Sequence, residues 1–72
     1  MHRITAYIEK DSESGLYVGI VPSIRGAHTQ AKTLEELQKN LKEVAELCLE
    51  EMTLYEKRHL PEFIGIQQFE VA

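Results

Sequence analysis

Cysteine is nearly absent from this chain. Cys48 is the single one in 72 residues, so no internal disulfide can brace the fold. The three histidines, His2, His28 and His59, form no cluster with that cysteine at metal-ligand spacing, so no structural metal is expected. Basic residues are outnumbered, with 8 Lys and Arg against 12 Asp and Glu and a formal net charge of -4. That balance disfavours direct nucleic-acid binding, which needs clustered cations against phosphates. No apolar run is long enough to cross a membrane. The stretch Met1–Ile8 alternates polar and apolar instead of forming the apolar segment of a signal peptide, so a cytoplasmic location is expected. There is no G-x-S-x-G, P-loop or G-x-G-x-x-G pattern to activate a serine or cradle a phosphate. Repeats, linkers and low-complexity segments are also missing.

What remains is one small domain, residues 1–72, with 43% hydrophobic residues. A chain this short buries a modest share of its surface and usually needs a helper. With disulfides and metal set aside, association with further copies, as a homodimer or homotetramer, is the helper to expect.

Arg3 to Lys10 has the period-two pattern of a half-buried strand, with Ile4, Ala6 and Ile8 opposed to Arg3, Thr5, Tyr7 and Glu9. Asp11 to Gly15 is a polar turn. Leu16 to Val21 is a second strand, in which Leu16, Val18 and Ile20 alternate against Tyr17, Gly19 and Val21. Pro22 to Gly26 is a turn, and Ala27 to Ala31 a short third strand, Ala27 and Thr29 facing away from His28 and Gln30. Thr33 opens a helix with a capping box to Glu36. Leu34, Leu37, Leu41, Val44, Ala45, Cys48 and Met52 then recur as one apolar face. Lys57, Arg58 and His59 complement the negative end of a helix, and Pro61 stops it. Phe63 to Val71 reads as a last strand, Ile64 and Ile66 on one face and Phe63, Phe69 and Val71 on the other.

The expected fold class is therefore α+β, a two-layer β-β-β-α-β domain with an antiparallel meander, one helix and a final strand. One helix can cover only one face of the sheet. The other face, carrying Tyr7, Tyr17 and Val21, is expected to be a contact surface.

No residue set reads as a catalytic, cofactor or metal site, so an enzyme is not expected. His2 is terminal, His59 sits by a helix end, and His28 lies in a polar strand. Cys48 falls on the apolar helix face, where a structural thiol is the simple reading. Glu43, Glu46 and Glu50 share a helix face that solvent satisfies.

Tyr17, Val18, Pro22, Gly26, Thr29, Gln30, Thr33, Glu35, Glu36, Asn40 and Glu43 match, position for position, the motif of the HicB antitoxin family, which the chain resembles over about its first 52 residues. Ser23 stands where that family has an acidic residue, Arg25 replaces a proline, Ala31 a glycine and Leu37 an alanine. The resemblance implies a partial ribonuclease-H-like fold without that enzyme's metal-binding carboxylates, and assembly as dimers or tetramers. It also implies a partner, a small basic mRNA-cleaving toxin similar to HicA, whose site the antitoxin occludes. The likeness is to short members without a C-terminal DNA-binding domain. The residues expected to meet a partner are Tyr7, Tyr17, Pro22, Arg25, Gly26, His28, Thr29 and Gln30. The alternative is an orphan homo-oligomeric ligand-binding or regulatory module with no toxin.

Overall fold

Two glycines allow the chain to turn back on itself. In the computed structural model, which describes residues 3–72, Gly15 has φ 74° and Gly26 φ 81°. An L side chain is penalised in this left-handed region, and glycine is not. Gly15 closes the loop between β1 (Tyr7–Lys10) and β2 (Tyr17–Ile20). There the Asp11 N–H donates to the Leu16 carbonyl at 2.8 Å and the Gly15 N–H to the Asp11 carbonyl at 2.9 Å. The Asp11 carboxylate accepts the Ser14 hydroxyl at 2.7 Å and its backbone N–H at 2.8 Å. Gly26 serves the turn between β2 and β3 (His28–Ala31). This turn is held by Val21 N–H to the Ala27 carbonyl at 2.8 Å and Ala27 N–H to the Ile24 carbonyl at 3.1 Å.

The three strands form one antiparallel sheet in the order β1-β2-β3. Tyr7 lies opposite Ile20 and Glu9 opposite Val18; across the second pairing Ile20 meets His28 and Gly19 meets Thr29. The meander is as expected. The facing of β2 is not. Residues directly opposite one another in a sheet share a face, and Gly19 points at the helix: a Cβ built there would sit 2.8 Å from Leu41 Cδ1. Gly19 and Val21 therefore face inward, while Val18 and Ile20 face out. Both alternate sets of β2 are apolar, so alternation alone could not choose between them. The absence of a side chain at position 19, which lets the helix approach, decides it.

Helix α1 (Leu34–Glu51) starts where Thr33, in extended conformation, accepts the Glu36 N–H on its hydroxyl at 3.1 Å. The reciprocal carboxylate of a full capping box does not form there. It forms one helix later: Thr53 Oγ1 accepts the Glu56 N–H at 3.1 Å and Glu56 Oε1 accepts the Thr53 N–H at 3.0 Å. This box opens α2 (Leu54–Arg58), a short helix that the sequence reading did not separate from the first. Lys57 and Arg58 occupy its last turn, so their charge complements α2 and not α1.

The core consists of Val21, Ile24, Ala27, Ala31, Leu37, Leu41 and Ala45. Ile24 folds in from the turn, and it and Leu37 are the largest fully buried side chains. Leu34, expected on the apolar face, is exposed in the first turn; Leu49 packs on the core alongside Cys48. The helix packs chiefly on β3 and then β2, off the centre of the sheet. On the β1 side it leaves an open groove of about 600 Å³.

The final strand does not form. From Pro61 to Ala72 every residue is exposed and none belongs to a strand. The architecture of the described residues is thus β-β-β-α-α, an α+β arrangement of three antiparallel strands with one long and one short helix. A strand needs a ladder partner and one face that chooses its register. The tail is apolar on both faces, and no hydrogen bond ties it to a strand among the described residues.

Candidate interaction surface

The sheet face turned away from α1 is built from two cross-strand rows. Tyr7, Ile20 and His28 form one, Glu9, Val18 and Gln30 the other. No element among the described residues covers them. Tyr7 is 44% exposed and Ile20 38%, enough apolar surface side by side to matter for contact. The Glu9 carboxylate, two residues from Tyr7 on the same face, attracts the phenol's proton and pushes its pKa above the usual tyrosine value. The face therefore offers a neutral phenol, an imidazole, an amide and a carboxylate around an aliphatic centre.

The expected contact residues separate into three groups. Tyr7, His28 and Gln30 lie on this outer face. Pro22, Arg25 and Gly26 are exposed in the β2–β3 turn at the end of the sheet. Tyr17 and Thr29 are corrected: register places both on the helix side, where they are half-buried. Tyr17 packs against the core and lies under the Lys10 amine, 5.4 Å from the ring centroid. Val21, also expected on the open face, is in the core. The sequence reading missed Ile20, Val18 and Glu9 as members of the surface. Gly19 was the available signal, because a mid-strand glycine under a helix turns its two neighbours outward.

The remaining candidates for chemistry are spread apart. His28 stands on the sheet and Cys48 on the helix. His59 is engaged locally: its Nδ1 donates to the Tyr55 carbonyl at 2.7 Å, and the two rings stack with centroids 4.0 Å apart. His2 lies outside the described residues. Among the described residues no three His, Cys, Asp or Glu side chains gather where a metal could be held. No buried side-chain polar atom among them lacks a hydrogen-bond partner. Nor is any helix among them long and apolar enough to cross a membrane. What the arrangement can do is present surface and edges. Among the described residues β1 and β3 each pair with one strand on one side and with none on the other, the edge an added strand would use.

Comparison with known proteins gives relatives along almost the whole chain. A UPF0150 protein of Thermotoga maritima is 48% identical over 67 residues, covering 93% of this chain and 87% of its own length. A UPF0150 protein of Archaeoglobus fulgidus is 53% identical over 64 residues, 89% of this chain and 87% of that one. A UPF0150 protein of Synechocystis sp. is 48% identical over 61 residues, 85% and 83% of the two chains. No family model matches the chain, and no solved structure matches it. With identities near one half over most of both partners, the chain belongs to the UPF0150 family.

Proposed function

We propose that the protein is a HicB-like antitoxin of a type II toxin–antitoxin system, which binds a small basic, HicA-like mRNA-cleaving toxin and occludes its site. It performs no chemistry of its own. It acts in the cytoplasm as a homodimer or homotetramer, and its sheet and helix are the partial ribonuclease-H-like unit of that family. The observation that carries the reading is the open outer face of the sheet, with Tyr7, Ile20 and His28 in one uncovered row. Two further observations support it. The net charge of -4 suits a basic partner. The residues matching the antitoxin motif, from Tyr17 to Glu43, span β2 and β3, which are two of the three strands of this face, the turn between them and the first half of α1.

The test is to co-express the chain with a small basic protein encoded beside it and to pass the pair over a sizing column. Co-elution is expected. Ile20→Asp should weaken binding at least about hundredfold, as loss of a central interface anchor does, while far-UV circular dichroism stays unchanged. Separate elution of two folded proteins refutes the reading. The second reading, a homo-oligomeric ligand-binding or regulatory module without a toxin, draws on the groove beside α1, whose apolar lining suits a small molecule.

A further inference from the structure

The structure leaves two apolar surfaces open, and their shapes correspond. One is the groove that the off-centre helix leaves beside β1. Its walls are Ile4, Ala6, Val21, Leu41, Ala45 and Leu49, with Lys42 and Glu46 at the rim. Next to it runs the free edge of β1, whose residues Tyr7–Lys10 are all exposed. The other is the tail. Ile64 is 86% exposed, Phe69 77% and Val71 81%. Soluble chains do not leave such a run in water without a use for it.

We propose that the tail, residues 63–71, adds as a fourth strand to the β1 edge of a second copy, in a reciprocal exchange of arms. The geometry of an added strand accounts for the two-sided pattern that had no explanation within one copy. Successive side chains of a strand point to opposite faces. One set, Phe63, Phe69 and Val71, faces α1 of the second copy and fills its groove. The other, Ile64 and Ile66, continues the outer face beside Tyr7 and Ile20.

A second copy is the occupant for three reasons. The chain's own tail does not fill the groove: Pro61 to Ile66 pass beside Arg3 to Tyr7 and the turn at Pro22 and Ser23, and no tail residue is among the groove's walls. Beyond that, Gln67 to Glu70 are exposed and no other described residue walls the open surface they form. The molecule is correspondingly extended, with a Cα radius of gyration of 13.7 Å against about 11 Å for a compact chain of this length. Lastly, the area suffices. Phenylalanines bury roughly 150–250 Å² each; with the isoleucines and valine, two exchanged arms and the surfaces they cover reach on the order of 1,500 Å², the size of a stable interface. Reciprocal exchange about a twofold axis closes the assembly and leaves no arm free.

The exchange needs no toxin, so its test is separate from that of the antitoxin reading. Sedimentation equilibrium of the full chain should give a dimer or an even multiple of it. In an equimolar mixture of isotope-labelled and unlabelled chains, filtered nuclear Overhauser spectra should connect Phe69 and Val71 of one copy to Leu41 and Ala45 of the other. The double variant Phe69→Asp, Val71→Asp should raise the dissociation constant at least about hundredfold. Its helical circular dichroism should be kept, since neither residue is in the core. A monomeric wild-type chain, contacts confined to one copy, or a dimer of undiminished affinity in the double variant would each overturn the proposal.

Discussion

A methyl group at position 19 would meet Leu41 Cδ1 at 2.8 Å and Cγ at 3.1 Å. That contact sets the distance at which α1 rests on the sheet, and it carries a test of the facing of β2. Gly19→Val should destabilise the protein by about 1–3 kcal/mol, the usual cost of overpacking a core. The neighbouring Ile20→Thr, on the outer face, should cost less than about 1 kcal/mol in the same urea titration. Reversed sizes would put the faces the other way round. Most of the candidate surface was legible at this scale. His28 and Gln30 follow from the alternation of β3, and Tyr7 from that of β1. Tyr17 was misplaced because β2 is apolar at every position but 19, so hydrophobicity has no contrast to read; Thr29 faces away from His28 and Gln30, as the alternation of β3 has it.

At the scale of elements, two short hydrogen-bonded devices depend on ionised carboxylates. Asp11 is held below the ordinary carboxylate range by the Ser14 hydroxyl and then by backbone N–H groups of Ser14 and Glu13. Glu56 is held there by the Thr53 N–H and hydroxyl. In each case the folded state favours the charged form. The unfolded chain therefore binds more protons between the two pKa values, and stability rises with pH across that window. The thermal midpoint should be flat from about pH 7 to 5 and should fall as pH drops below about 4, the unperturbed carboxylate region. The Asp11→Asn, Glu56→Gln variant should lose part of that fall; an unchanged acid profile would remove these two groups as its cause. The hairpins and α1 were legible because glycine, alternation and a capping threonine agree with one another. The break after Glu51 was not. Thr53 and Glu56 carry the same spacing as Thr33 and Glu36, but they follow an apolar periodicity that runs on through Met52. The last strand misled for the opposite reason: its propensity is sound, but no strand among the described residues pairs with it.

For the whole molecule, the question is how so small a core holds. Three of the seven buried hydrophobic residues among those described are alanines, so the core supplies little apolar area, the condition under which small chains draw stability from association. For the proposed exchanged dimer, linkage requires the melting temperature to depend on concentration. A tenfold increase in chain concentration should raise the midpoint of an associating dimer by about 3–5 °C. A midpoint independent of concentration would mean that the core stands alone. The off-centre seat of α1 has one more consequence. Its groove is walled by the same Leu41 and Ala45 that form the core, so an occupant of the groove is packed as an interior residue would be. Affinity and foldedness are then one property measured two ways. A larger side chain at Ala6 or Ala45 that filled the groove from within would make the isolated chain sturdier and a worse host, so selection for a self-sufficient monomer would act against recognition.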